Sequence, residues 1–133
     1  MPYKVTILEN EGIIQTELIG EFSKQDISAY VQDLLSLDFY HQYGRLLVDY
    51  KQATNIPADF NEFMTLTEPM KALQIKGREI WQAGVNAAPV FVGISRQVNT
   101  LLELSNDHLD KVNLKFFDSK DDAKTWLKSK PVN

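Results

Sequence analysis

"RLLVDYKQATNIP" (45–57) is the stretch that decides the fold. Leu46, Leu47 and Val48 form an apolar run without alternation, the pattern of a strand buried on both faces. The run stops at Asp49 and passes into a polar turn holding Thr54, Asn55 and Pro57. A strand covered on both sides belongs inside an α/β sheet, and in open sheets of that kind ligands gather where the strands end. Asp49 therefore sits either at a site or merely at the end of its strand.

Upstream, "YKVTILE" (3–9) alternates, with Tyr3, Val5 and Ile7 on one side, and "IIQTELIG" (13–20) follows after a short "NEG" turn. Two such runs joined tightly read as an antiparallel hairpin. "EFSKQDISAYVQDLLSLDF" then opens a helix. Ser23 suits the N-cap, Asp26 suits the first turn, and Phe22 and Ile27 occupy the positions of a hydrophobic staple. Ile27, Tyr30, Val31, Leu34 and Leu35 make its apolar stripe.

Downstream, 58–83 reads as one long helix, because Phe63, Leu66, Met70, Leu73, Gly77 and Ile80 recur at spacings of three and four. Pro69 is expected to kink or split it, and Gly84 to stop it. "PVFVGIS" (89–95) reads as the next strand with Pro89 at its first position. "RQVNTLLELSN" reads as a helix and "LKFFD" (114–118) as the last strand. "SKDDAKTWLKS" closes the chain with a cap at Ser119 and Asp122 and with Ala123, Trp126 and Leu127 inward. The order β β α β α β α β α implies a mixed sheet of about five strands flanked by about four helices: a hairpin, then right-handed parallel crossovers.

The chain has 133 residues, enough for one domain that buries roughly two thirds of its extended-chain surface. Fourteen basic residues against eighteen acidic ones leave a net charge of −4, which argues against nucleic acid as a partner. The lack of cysteine removes disulfides, thiolate metal sites and cysteine nucleophiles, and it fits a reducing, cytoplasmic setting. No apolar run approaches the roughly 20 residues of a membrane span. "MPYKVTILENEG" alternates and carries acids, unlike a signal peptide. His41 and His108 stand in "FYHQYG" and "NDHLD", both expected as exposed loops, without a partner at metal-ligand spacing. No metal or cofactor is expected.

Three segments carry a family resemblance. "LIGEFSKQDI" resembles the strand, glycine and capped-helix opening of SpoIIAA-like proteins, relatives of the STAS domain of anti-sigma-factor antagonists. "RLLVDY" is similar to their central strand ending in Asp. "FFDSKDDAKTWL" resembles their closing signature through Phe117, Ala123, Trp126 and Leu127. The resemblance spans nearly the whole chain in element order. It implies a STAS-like domain, dimeric in some members, that binds a protein or a small ligand and has mostly no assigned activity. In the antagonists an Asp-Ser pair follows the central strand and the serine is the phosphorylation switch. Here Tyr50, Lys51 and Gln52 follow Asp49, and the nearest hydroxyl along the loop is Thr54. The long 58–83 segment fits the SpoIIAA-like branch that has been compared with Sec14-type lipid-binding folds.

Two sets of candidate residues result. With parallel crossovers, the strand ends bring Asp49, Tyr50, Thr54, Asn55, Ser95, Arg96 and Asp118 to one edge, as the rim for a partner or a ligand. The same acids equally suit plain turn and helix caps, with Arg96 paired to one of them. Phe60, Phe63, Met64, Met70 and Trp81 form a Met-rich aromatic stripe that suits either the core face of the long helix or an apolar cleft beneath it. The leading expectation is a non-catalytic regulatory module with a protein partner; the alternative is a binder of an amphipathic small molecule or lipid. Catalysis ranks last, since only Asp49 with Asp118 offers a titrating pair.

Overall fold

A computed structural model describes residues 2–54, 60–73, 79–89, 92–93 and 112–131. One mixed sheet holds β1 (Tyr3–Leu8), β2 (Ile13–Gly20), β3 (Arg45–Ala53), β4 (Ile80–Val85) and β5 (Val112–Phe117), in spatial order β1-β2-β3-β4-β5. β1 pairs antiparallel with β2, and the other three pairings are parallel. The hairpin followed by parallel crossovers is what the alternation of patterns implies.

β3 splits the core, because its successive side chains point to opposite faces. Leu46 faces one apolar cluster, with Tyr3, Ile14, Tyr30, Val31, Leu34, Tyr40, Leu73 and Ile80. Leu47 faces the other, with Ile13, Ala83, Val85, Ala123 and Leu127. Burying each such aliphatic side chain contributes about 1.5–3 kcal/mol. That exceeds the roughly 1 kcal/mol of a helix cap, so the two clusters hold the layers together and the caps set where the helices begin.

The first cluster is covered by α1 (Lys24–Leu35), which starts as its sequence directs. The Ser23 side chain accepts from Asp26 N at 3.1 Å and Ser23 N donates to Asp26 Oδ2 at 2.8 Å, a reciprocal capping box. Phe22 and Ile27 are both buried beside it. Polar groups on this face are paired: Thr16 and Tyr30 share a hydrogen bond of 2.7 Å, and the Tyr3 hydroxyl donates to Asp33 at 2.6 Å. The second cluster is covered by α4 (Lys120–Lys128), where Ser119 Oγ accepts from Asp122 N at 3.1 Å. Beyond α4, Lys130 O accepts from the buried Arg45 guanidinium at 2.7 Å.

Three sequence expectations are corrected. "FYHQYG" is not a loop: Asp38–Tyr43 form α2, closed by Gly44 in the left-handed conformation at φ 59°, where glycine carries no Cβ penalty. Its Tyr40 is fully buried and donates to Leu73 O at 2.6 Å. His41 is exposed on this helix, its Nε2 lying 2.8 Å from Leu35 O. His108 lies outside the described residues.

The 58–83 segment is not one helix. α3 (Phe60–Thr67) passes into a 3-10 helix (Glu68–Leu73) where Pro69 removes an amide, and Ile80 already begins β4. The strand expected at 89–95 is instead "IWQAGV" (80–85), and Gly84 lies inside it. Pro89 and Val92–Gly93 have helical backbone, with Val92 N donating to Ala88 O at 3.2 Å. Proline suits the first turn of a helix as well as the start of a strand, so Pro89 does not discriminate. No helix among the described residues is long and apolar enough to cross a membrane.

Candidate functional site

Among the described residues, the middle of β3 and the end of β4 form a built polar site on the α4 side of the sheet. Its centre is Asp49, whose side chain is 10 % exposed. Oδ1 accepts from Lys51 N at 2.9 Å and from Asn86 Nδ2 at 3.0 Å, while Lys120 Nζ stands 3.2 Å from Oδ2. Burial alone would raise the carboxyl's pKa. The hydrogen bonds from Asn86 and Lys51 and the ammonium of Lys120 outweigh that and hold it below the ordinary carboxylate range. The group is thus an anion with both oxygens engaged.

Local irregularities make this possible. Between Glu17↔Asp49 and Ile19↔Gln52 the chain takes three steps on β3 against two on β2, so β3 bulges just after Asp49. The bulge lies beside the Lys51 amide that donates back to the Asp49 side chain. Asn86 takes φ 59° immediately after β4, a conformation asparagine adopts more readily than most residues. Lys120 comes from the first turn of α4. One carboxylate therefore ties the bulge of β3 to the residue after β4 and to the start of α4.

Tyr50 lies on the opposite face of β3. Its hydroxyl bonds to the Gln82 side chain, its ring meets Phe116 at 5.7 Å between centroids, and burial pushes its phenol pKa well up. The phenol stays neutral across the physiological range. A Cβ on Gly84 would lie 2.5 Å from Phe116 Cε1 and 3.1 Å from Tyr50 Cε2, so glycine is what admits these rings over β4. Thr54 follows β3. Its amide donates to Gly20 O at 3.0 Å, and its side chain is exposed.

The expected rim is only partly assembled. The strand does not stop at Asp49: Asp49 and Tyr50 lie in the middle of β3 on opposite faces, and Thr54 follows its end at Ala53. Asp118 is exposed beyond β5, and none of the hydrogen bonds of Asp49 goes to it. Asn55, Ser95 and Arg96 lie outside the described residues. The strand that was to bring Ser95 and Arg96 to this edge is replaced by β4, which ends at Val85 and delivers Asn86. Asn86 and Lys120 escape a reading based on charge pairs, since one is a neutral amide and the other one lysine among several. The usable signals were a turn-tolerant Asn after an apolar strand and a lysine one residue past the Ser119 cap.

The apolar stripe is divided. Phe60, Phe63 and Met64 lie on α3, and Met70 packs half-buried against the α1-side cluster. Trp81 is in β4 and belongs to the α4-side cluster, edge-on to Trp126 at 5.8 Å, with Lys130 Nζ 4.9 Å above its ring. The sheet separates Trp81 from Met70, so the five residues do not line one cleft. Among the described residues no group of three His, Cys, Asp or Glu is placed to hold a metal ion. A scan of the chain against protein-family models gives no match, and a search of curated proteins finds no significant match.

Proposed function

We propose that the chain is a small SpoIIAA-like, STAS-like regulatory module that works by binding a protein partner and not by catalysis. The observation supporting this is the set of partners around Asp49. A general base needs a proton affinity near the working pH, and two hydrogen bonds with an ammonium hold this carboxyl below the ordinary carboxylate range. Here its oxygens face the β3 bulge, Asn86 after β4 and the start of α4. The neighbouring Tyr50 phenol is kept neutral and is spent on Gln82. Among the exposed residues of this edge is Thr54, whose amide donates to Gly20 O. An exposed hydroxyl on a hydrogen-bonded backbone suits recognition, and phosphate added there would bring a charge of about −1.5 to −2. The reading places the protein in the cytoplasm.

Native mass spectrometry on protein purified without detergent, repeated after denaturation, tests this. The proposal expects the mass of the bare chain or of its multiples in the native spectrum and that of the bare chain after denaturation. An excess mass that leaves on denaturation would overturn it in favour of an amphipathic small ligand.

A further inference from the structure

The geometry of β1 points to self-association of this chain through its free edge, giving a continuous ten-stranded sheet across a two-fold axis. This goes beyond the strand-end reading and does not depend on it. In the strand order, β1 has β2 on one side and, among the described residues, no strand on the other. Its ladder with β2 runs unbroken from Tyr3↔Leu18 to Leu8↔Ile13, with no bulge to blunt the edge.

The direction of the free backbone groups follows from one contact. Ile19 N donates to Pro2 O at 2.7 Å, so Pro2 and Ile19 are a hydrogen-bonded pair of the antiparallel ladder. Such pairs alternate with non-bonded ones. Lys4, Thr6 and Leu8 therefore bond inward to β2, and the amides and carbonyls of Tyr3, Val5 and Ile7 point out from the edge. The side chains of these same three residues lie on the α1 side of the sheet. Tyr3 is buried and Val5 half-buried there, whereas Ile7 is 38 % exposed, one of two large apolar side chains so open among the described residues.

A second copy of β1, antiparallel about an axis at Val5, satisfies both sets of groups. Val5 then faces Val5 of the other copy and Tyr3 faces Ile7, twice over. All outward amides and carbonyls of the three residues find partners, and Ile7 gains an aromatic cross-strand neighbour. Lys4, the only charge on β1, faces Thr6. Sliding the pairing so that Tyr3 faces Val5 would set Lys4 against Lys4, which opposing like charges disfavour. The alternative slide, with Thr6 facing Thr6, leaves Tyr3 without an apolar partner opposite. One register is thus selected, with identical chemistry on both sides, which is why the occupant is a second copy. A single strand pair buries little area, so the association is weak and rises with concentration.

The test is sedimentation equilibrium on the full chain over a wide concentration range, joined to amide hydrogen exchange. The expected result is a monomer–dimer equilibrium, with the Tyr3, Val5 and Ile7 amides gaining protection as concentration rises while Lys4 and Thr6 are protected throughout. Ile7→Lys should weaken dimerisation about tenfold or more. Val5→Pro removes only an outward donor and should leave a folded monomer with an unchanged circular dichroism spectrum. A chain that is monomeric at every concentration overturns the proposal. So does a dimer that both variants leave intact, or one whose formation protects other amides and not these three.

Discussion

Replacing Asp49 by alanine tests whether this carboxylate is a fastener. Oδ1 receives two hydrogen bonds, from Lys51 N and Asn86 Nδ2, and bonds to an ionised acceptor contribute about 1.5–3 kcal/mol each. Lys51 and Asn86 are both exposed residues, so water recovers part of what their donors lose. The Lys120 ammonium is 40 % exposed, and its pairing is worth at most about 1 kcal/mol. Together these place the cost of Asp49→Ala at roughly 2–4 kcal/mol, against about 0–1 for Lys120→Ala. With a urea dependence of about 2 kcal/mol per molar, the middle of the range for small domains, the alanine variant should lose about 1–2 M in its unfolding midpoint at unchanged slope. The folded state holds the carboxyl below its ordinary range. Its ionic contribution is therefore fully present above the unfolded value of about 3.9 and fades as pH falls through the lower folded value. The gap between wild type and variant should narrow in acid. Equal costs for Asp49→Ala and Lys120→Ala, or a midpoint unmoved by Asp49→Ala, would refute the reasoning.

Further outcomes follow from the packing on the other face. Gly84→Ala should cost about 1–3 kcal/mol, because its Cβ would fall 2.5 Å from the ring of Phe116 and 3.1 Å from that of Tyr50, so a ring must shift; a thermal scan reading no loss would show that the rings can yield. Thr16→Val keeps the volume but leaves the buried Tyr30 hydroxyl without its partner, at about 1–3 kcal/mol, and adding Tyr30→Phe should restore most of that in a double-mutant cycle. Burial, aided by Asp33, pushes the Tyr3 phenol up to about 12, and burial also raises those of Tyr30 and Tyr50. The stability these neutral phenols lend is complete below pH ~10 and is lost as pH rises through their folded values, so base unfolding should accompany their ionisation. Tyrosinate absorbance should show Tyr3→Phe removing a step near pH 12.

Local chemistry was legible wherever one residue type does one job. Ser23 with Asp26 and Ser119 with Asp122 mark both helix starts, and Leu46–Val48 mark the central strand, because a cap or a two-sided burial admits few alternatives. β4 was not legible. "IWQAGV" holds a glutamine and a glycine at positions facing a packed layer, which looks like a break in an apolar run. In the fold, Gln82 satisfies Tyr50 and Gly84 makes room for Phe116. Those requirements come from residues more than 30 positions away in both directions, and no local pattern carries them. The neighbouring "PVFVGIS" offers a better apolar run, and it drew the strand to the wrong place. The site inherited that error. Asp49 was in view, whereas its partner Asn86 became visible only once β4 was placed.

The pairing of Arg45 with Lys130 O, 85 positions apart, has a consequence for how the chain comes to be folded during synthesis. Each strand of the sheet lies beside its predecessor, so the sheet can grow stepwise as the chain emerges. The α4 side cannot close in that way. Ile13, Leu47, Ala83 and Val85 are all made before Ala123 and Leu127 arrive to cover them. Among the described residues only α4 covers them, so until it forms these side chains lack that cover, and a chain interrupted short of residue 120 never gains it.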